Sequence, residues 1–376
     1  MRLSWGTVLA ITEDSRHRQK LHVRLDGPDV ALAEVEAINY LDVAPAVKPD
    51  ERVLLNMSAL DLGLGTGGVA FVVPTEEMET DRLPGHIMKL RYTPLQREVC
   101  AIEEPHSPYH ELMKEVYSLE GMPVVCCSLA SQVPLVAAAF KTVKPHARVI
   151  LCMTDEASLL YAFSDLFVQA QAVGLIDASI TCGQALGGDH EAITLHSGLL
   201  AARHVLSADM VIVSIGPGTP GSATPFGHGG VAQGEALNAV AALGGLPVAV
   251  LRLSCADARV RHQGVSHHSL ITLGHVCLAK AVVPLPASLT DDQKERVMLD
   301  LASQNIHEKH HLVEVPPDPP SPLSPDPPSP LSYIDQTIDL RGLQVVTMGR
   351  TMADDPVFFA AAFAAGAHAA SCVVGH

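Results

Sequence analysis

The chain has 376 residues, with 25 Lys and Arg against 41 Asp and Glu, a formal net charge of −16, and only 4% aromatic residues. An acidic surface repels phosphate backbones, and few rings are present for base stacking, so the composition argues against nucleic acid as a partner. Hydrophobic residues make up 48%, which is ample for a globular interior, and the length predicts two domains.

Residues 1–105 are predicted to form a β-rich, barrel-like domain. Short apolar runs are separated by polar or Gly/Pro residues and none has a helical period: WGTVLAI, KLHVRLDG, ALAEVEAINY, ERVLLNMSAL and GVAFVV. This pattern is typical of a small β-barrel of the OB or SH3-like kind. Acidic residues outnumber basic ones here too, which favours a docking or structural role over oligonucleotide binding.

A linking helix is predicted within residues 106–120, with Ser107 as its N-cap and Pro108 at its first position. Over residues 121–376 the pattern changes, because long apolar runs alternate with segments of helical spacing. The runs are PVVCC, ARVILCM, ASITC, MVIVSI, PVAVLRL, AVVPL and LQVVTM. They predict an α/β domain with a mainly parallel, doubly wound sheet of about seven strands.

Two segments of this domain have an unusual composition. The sequence PDPPSPLS occurs at 317–324 and again at 325–332, which predicts an exposed, disordered, proline-rich insert over 316–332. The alanine-rich run at 358–374 is shorter than the ~20 apolar residues of a membrane span, so a closely packed internal helix is favoured.

Three features predict a cytoplasmic protein with no membrane partner. The first residues contain too short an apolar run for a signal peptide. Most cysteines lie inside apolar runs, where they are expected to be buried, reduced thiols rather than a disulfide framework. No other segment has the length and hydropathy of a membrane span.

Polar and glycine-rich segments follow the predicted strands. They are SLASQ, TDEAS, GQALGGDHE, GPGTPGSATPFGHGG, CADARVRHQGVSHH and GRTMADDP. The carboxyl ends of parallel strands meet at one edge of a sheet, and open α/β sheets bind ligands at that edge. The sequence therefore predicts a small-molecule site there.

Three carboxylates at this edge are candidates for catalysis: Asp155, Asp189 and Glu191. Asp189 is predicted to cap a helix whose first turn contains Glu191, and such acidic residues stabilise any helix start by about 0.3–1 kcal/mol each. The alternative is that they are metal ligands or an acid/base pair. Asp155 is open to the same two interpretations, a helix cap or a ligand-binding carboxylate.

Two segments match the G-x-G-x-x-G pattern. The one at 63–68 precedes a strand and is interpreted as a barrel turn. The one at 216–221 follows the strand MVIVSI, but prolines delay the helix to about Val231 and no acidic residue appears at the Rossmann spacing of ~20 residues, which disfavours a dinucleotide. Glycines permit close approach, so backbone amides of this loop are predicted to bind an anion. The residues concerned are Gly216, Gly218, Thr219 and Gly221.

The stretch RHQGVSHHSLITLGH, residues 261–275, contains four histidines. Ser266 is predicted to be the N-cap of a helix that runs to about Leu278, with His267 and His268 in its first turn. Adjacent helical residues point ~100° apart, so these two histidines are not expected to share one metal, and a zinc site built from this helix alone is disfavoured.

An anion site fits this segment better. Arg252, Arg259 and Arg261 precede a helix whose first amides and positive dipole end would face the same cleft. That dipole favours a neutral imidazole, which suits His267 as a catalytic acid or base near pH 7. The alternative, that both histidines are structural, stays open. The residues predicted to bind the ligand here are Arg259, Arg261, Ser266 and His268.

Several motifs together resemble an uncharacterised bacterial family, a domain of unknown function. They are LGLGTGG, GHIMKLRYTPLQ, GGDHEA, SIGPGTPG, RHQGVSHH and MGRTMADDPVFFAAAFAAG. The resemblance covers nearly the whole chain except 316–332, and it implies no established activity, cofactor or catalytic residue.

Two hypotheses follow from the sequence. One is an enzyme that acts on a small anionic metabolite by histidine and carboxylate acid/base chemistry, with or without a divalent metal. The other is a non-catalytic binding or regulatory protein that uses the same cleft, with the barrel as a docking module. The sequence specifies no cofactor, metal or oligomeric state.

Overall fold

The computed structural model describes residues 2–26, 34–61, 68–75, 85–316 and 338–373. The chain divides into two compact units, Met1–Cys100 and Ala101–His376, each with its own hydrophobic core. The predicted proline-rich insert, apart from Pro316, and nearly all of the glycine turn at 63–68 lie outside the described residues.

The first unit contains a closed five-stranded barrel, so the predicted β-barrel is confirmed. Its strands pair in the order β1-β2-β3-β5-β4, with β1 closing on β4. Five strands is the number found in the OB-fold. Alternate residues such as Val8, Leu21 and Leu55 point inward and form the core. The strands are β1 (Leu3–Asp14), β2 (Arg18–Leu25), β3 (Glu34–Tyr40), β4 (Arg52–Asn56) and β5 (Ala70–Val73).

Three short elements complete this unit: the helix α1 (Ser58–Asp61) and the antiparallel strands β6 (Ile87–Lys89) and β7 (Arg97–Val99). The predicted start of the next helix at Pro108 is wrong. That helix, α2 in the second unit, spans His110–Glu115, and the Ser107 hydroxyl instead accepts a hydrogen bond from the Tyr109 amide at 3.2 Å. Ser107 therefore caps a turn that precedes the helix.

The second unit is built on an eight-stranded sheet whose neighbouring strands are parallel, which confirms the predicted α/β class. The order is β11-β10-β9-β12-β8-β13-β16-β17. A separate antiparallel ladder joins β14 (Leu253–Ser254) to β15 (Gly264–Val265). The strands of the large sheet are β8 (Pro123–Cys126), β9 (Val149–Thr154), β10 (Ala178–Cys182), β11 (His190–Ala192), β12 (Met210–Ile215), β13 (Leu246–Ala249), β16 (Val282–Pro286) and β17 (His311–Val315).

Six of the seven predicted strands lie in this sheet, and the seventh, LQVVTM, is wrong. Leu343 and Val345 pack into the core while Gln344 and Val346 are exposed, so this segment packs on one side without joining the sheet. The sequence pattern also missed two strands. β11 has only three residues, and β17 lies at the sheet edge without a continuous buried run.

Helices cover both faces of the large sheet. α3 (Val133–Val143), α4 (Asp165–Ala172) and α10 (Pro356–Cys372) contribute to the core on one face. α5 (Leu195–His204), α6 (Ala232–Ala242) and α8 (Asp291–Ala302) contribute to the core on the other. This arrangement explains why the central strands are apolar on both sides. The remaining helices are α7 (His267–Ile271) and α9 (Ile306–Lys309).

The alanine-rich run forms α10, a buried helix packed against α3, as predicted. Gly366 allows the close approach, because a β-carbon there would collide with the carbonyl oxygen of Val136. Within the described parts of the chain, no helix combines the length and the apolar character needed to cross a membrane.

Candidate functional site

The direction in which successive strands are added to the sheet changes at β8. The strands β9 to β11 lie on one side of it, and β13, β16 and β17 lie on the other. The strand β8 lies between β12 and β13, and the helix that follows β8 packs on the opposite face from the helix that follows β12. In open α/β sheets such a switch point leaves a crevice outside the carboxyl ends of the strands, where ligands usually bind. The segments after β12 and β13 flank this point.

Asp189 and Glu191 do not begin a helix, so that prediction is wrong. Glu191 lies in β11, and the next helix, α5, begins after the cap Thr194. The Asp189 carboxylate accepts hydrogen bonds from Gln171 and from both the amide and the hydroxyl of Ser179. These contacts to β10 and α4 hold the chain extended, which is why β11 replaces the expected helix.

Glu191 and Asp155 are also engaged with β10 or the turn after it. Glu191 is buried and accepts hydrogen bonds from the Thr181 hydroxyl at 2.7 Å and the Gly187 amide at 2.8 Å. Asp155 accepts a hydrogen bond from the Gln184 amide at 2.7 Å. The three predicted catalytic carboxylates therefore fasten β9, β10 and β11 to one another.

The glycine loop after β12 is held by backbone contacts. A β-carbon at Gly216 would collide with the Ser158 carbonyl, so glycine is required for the loops after β9 and β12 to pack together. Gly218 has a φ of 88°, and Gly218 and Gly221 are exposed, whereas Thr219 is partly buried. Residues 221–228 fold back on themselves, and the turn ends at a buried histidine, His228.

Ser266 caps α7 as predicted, because its side chain accepts a hydrogen bond from the His268 amide. The α-helix itself covers only His267–Ile271 and continues as a π-helical turn, Thr272–Val276. The helix thus ends close to the predicted boundary, but its regular part is short. Because Ser266 satisfies the His268 amide, the expected anion site at the helix start loses one of its donors.

Four histidines meet at this segment: His228, His262, His267 and His268. The rings of His228 and His268 are stacked in parallel, with centroids 3.8 Å apart, and the His267 and His268 centroids are 4.3 Å apart. Nitrogens of His262, His267 and His268 all lie within 4.8 Å of one another.

Although adjacent helical residues are expected to point ~100° apart, the rings of His267 and His268 therefore lie close together. His267 Nδ1 contacts the Arg261 carbonyl at 3.3 Å, which turns this ring back over the preceding segment. The third ring of the group, His262, comes from the turn before the helix and not from the helix itself.

All four histidines have a pKa below the ordinary value of about 6.5. Burial, followed by the charge of Arg252, lowers the pKa of His262 to about 3. Burial, followed by the neighbouring His228, lowers the pKa of His268 to about 2. Burial also lowers the pKa of His228 and His267. The whole group is therefore uncharged at neutral pH.

Three arginines surround the buried carboxylate of Asp257. Arg259 binds it through two nitrogens, each at 2.9 Å, while Arg350 lies at 3.2 Å and Arg252 at 3.7 Å. The hydrogen bonds from Arg259 hold the pKa of Asp257 well below its usual range. Arg350 also contacts Asp355, a buried residue that accepts a hydrogen bond from Ser254.

Arg252 connects the arginines to the histidines. Its Nη1 lies 3.4 Å from Nδ1 of His268, while its buried Nη2 has no hydrogen-bond partner among the described residues. Burial, followed by the charge of Arg259, lowers the pKa of Arg252 to about 10. Arg261, by contrast, is exposed.

Sequence reasoning missed five residues of this cluster as site residues: His228, Asp257, His262, Arg350 and Asp355. His228 could have been found from the sequence, since it lies among the glycines GHGG at the end of the segment after β12. Arg350 and Asp355 lie in GRTMADDP, which was expected at this edge, although its contacts with Ser254 and Asp257 span about a hundred positions of sequence.

Comparison with known proteins identifies the family to which the chain belongs. No curated protein and no solved structure matches the chain. Residues 36–366 match the family described as "Protein of unknown function (DUF3866)", which spans nearly the whole chain and carries no established activity. The resemblance seen in the sequence motifs is thereby confirmed, and the chain belongs to this family.

Proposed function

We propose that the chain binds a small anionic metabolite, one that carries a phosphate or carboxylate group, at the edge of the sheet after β12 and β13. The proposal rests on a buried nitrogen of Arg252, Nη2, that makes no hydrogen bond among the described residues. Arg252 is 4% exposed, and its Nη2 lies 3.7 Å from the carboxylate of Asp257. A buried donor without a hydrogen bond costs about 1–3 kcal/mol, more when it is charged, and an anionic ligand would remove that cost.

The charge balance around Arg252 supports an anion rather than a cation as the organic ligand. Arg252, Arg259 and Arg350 share the carboxylate of Asp257, Arg350 also pairs with Asp355, and the exposed Arg261 follows in the same segment. Four arginines therefore lie near two carboxylates. Positive charge is thereby concentrated in a chain whose formal net charge is −16. Local positive potential within a negative field attracts small anions selectively.

Proton transfer by histidine is the chemistry that this cleft would support. His267 is the most exposed of the four histidines and is neutral at pH 7, so in the metal-free protein its Nε2 lone pair is available as a general base. The carboxylates Asp155, Asp189 and Glu191 are not part of this proposal, because their hydrogen bonds serve β10 and its neighbours. If the protein is an enzyme, its acid/base chemistry would then rest on histidine alone and not on the expected pair of a histidine and a carboxylate.

The test is calorimetric titration of the purified full chain with inorganic phosphate and with citrate, in buffer that contains a metal chelator. Arg252→Gln removes the charge and leaves a shorter polar side chain. We expect it to weaken binding more than tenfold, or about 1.4 kcal/mol. Arg203→Gln is the matched control, since Arg203 pairs with Glu120 on an exposed surface, and it should bind as the unmodified protein does.

Arg261→Gln adds a second measurement that does not depend on a buried residue. Its side chain is exposed, so this variant should fold normally and lose affinity chiefly at low ionic strength. The proposal would be contradicted if the Arg252 variant bound phosphate and citrate as tightly as the Arg203 variant does, with both variants shown to be folded by circular dichroism.

A further inference from the structure

We infer that His262, His267 and His268 form a binding site for a divalent transition metal, with zinc as the best match. Their nitrogens lie within 4.8 Å of one another, near enough for the three side chains to reach one ion. Three imidazoles without a carboxylate are a donor set that suits zinc and related metals rather than magnesium or calcium.

The hydrogen bonds of His267 indicate which of its nitrogens would bind the metal. Nδ1 contacts the Arg261 carbonyl, which can only accept, so Nδ1 carries the proton of the neutral ring. Nε2 therefore presents a lone pair. It is buried and has no hydrogen-bond partner among the described residues. A buried lone pair without a donor is costly in the metal-free protein and is satisfied by a metal ion.

The other two rings are held in place by neighbouring groups. Nδ1 of His262 lies 2.7 Å from the Ser266 hydroxyl, which can accept its proton and leave Nε2 for the metal. Metal-binding histidines typically make such a second hydrogen bond. The ring of His268 is fixed by parallel stacking on His228. Its Nδ1 lies 3.4 Å from Arg252, which is too long for a strong hydrogen bond and leaves this nitrogen available to a metal.

The local fold explains why adjacent residues converge. The turn Val260–His262 is joined to α7 through the short strand β15, which brings His262 against the helix start. His262 is 1% exposed and His268 9% exposed, so the group is enclosed by protein on most sides. A site of this kind keeps its geometry without the ion, which lowers the cost of binding.

The test uses metal-free full-length protein in a buffer without phosphate or carboxylates, titrated with Co²⁺ and followed by visible absorption, and with Zn²⁺ by calorimetry. We expect one equivalent of metal and the intense visible bands of a cobalt ion bound by few nitrogen ligands. His267→Ala, at a partly exposed position, should weaken binding of both metals by more than tenfold.

His275→Ala is the matched control, because His275 lies in the same helical segment, is exposed and hydrogen-bonds Gln304 rather than the cluster. It should bind both metals as the unmodified protein does. A second variant, His262→Gln, should lose binding as His267→Ala does if the metal is shared between them. Absence of stoichiometric binding, or equal affinity in the His267 and His275 variants, would overturn the inference.

This test is independent of the proposed function. Metal binding is measured without any anion, and anion binding is measured with a chelator, so one can fail while the other succeeds.

Discussion

Two polar regions of the large sheet differ in how their groups are satisfied. One surrounds the start of β11, and the other follows the carboxyl end of β13. The carboxylates of Asp189, just before β11, and Glu191, within β11, accept hydrogen bonds from neighbouring backbone and side-chain donors. In the segment after β13, nitrogens of Arg252 and His267 are buried without a hydrogen-bond partner among the described residues.

The contrast separates structural polar groups from functional ones. A satisfied network lowers the energy of the folded chain by itself and needs no ligand. A network with unsatisfied buried groups destabilises the folded chain until a ligand supplies the missing hydrogen bonds. Such networks are therefore expected at binding sites. By this criterion the first region holds the strands together, and the second is the region where we propose that a ligand binds.

The largest effect is expected when Asp189 is removed. Asp189→Ala leaves the donors of Gln171 and Ser179 without their acceptor, so we expect the free energy of unfolding to fall by about 3–5 kcal/mol. Far-UV circular dichroism in urea is the suitable measurement, because the single tryptophan, Trp5, lies in the barrel and does not report on this sheet.

Asp292→Ala is the control, since Asp292 is an exposed residue in the first turn of α8, and it should cost less than about 1 kcal/mol. Phosphate binding by folded Asp189→Ala protein should be unchanged. A stability loss no greater than that of the control, or lost phosphate binding, would move Asp189 from the structural region to the functional one.

The histidine cluster should make the metal-free protein sensitive to acid. The folded-state pKa values of His262 and His268, about 3 and about 2, lie below the unfolded value of about 6.5. Their contribution is therefore fully present above pH 6.5 and is lost as pH falls from 6.5 toward the folded values. With up to ~1.4 kcal/mol per pH unit for each group, we expect a loss of about 2–4 kcal/mol between pH 7.5 and pH 5.

Other groups titrate in the same window, so the measurement is a difference between variants. Urea unfolding in the presence of a chelator should show a smaller pH dependence in His268→Asn than in the unmodified protein. His275→Asn, which changes an exposed histidine, should keep the full dependence. Equal pH dependence in all three proteins would show that the cluster titrates normally.

The fold was largely predictable because its signals are local. Runs such as MVIVSI are apolar at every position, and only a strand covered on both faces buries all of them. LQVVTM failed because its alternation fits one-sided packing as well as a strand, and nothing local specifies whether a partner strand is present. β11 depends on contacts from Asp189 to α4 and β10, which propensity cannot reveal.

The candidate site was predictable in location but not in membership. The position of polar segments after strands follows from topology, and the capping serine at Ser266 has a local signature. The convergence of His228 with His268 depends on how a fifteen-residue loop folds back, which has no short-range pattern. Helical geometry alone also does not predict how close the rings of His267 and His268 lie, because a tertiary contact with Arg261 reorients the first ring.

The smallest expected effects come from the glycine loop, which borders the functional region. Gly218→Ala should cost about 1 kcal/mol of stability, because φ is 88° there and alanine disfavours that conformation. Gly221→Ala should change stability by less than about 0.5 kcal/mol, since the nearest atom to a β-carbon would be His228 Cβ at 3.8 Å, an ordinary contact. If Arg252 holds the anion, both variants should bind inorganic phosphate within about twofold of the unmodified protein. A tenfold loss of phosphate affinity in Gly221→Ala, measured by the same calorimetry, would instead show that the amides of this loop contact the anion, and the functional region would then extend to the loop after β12.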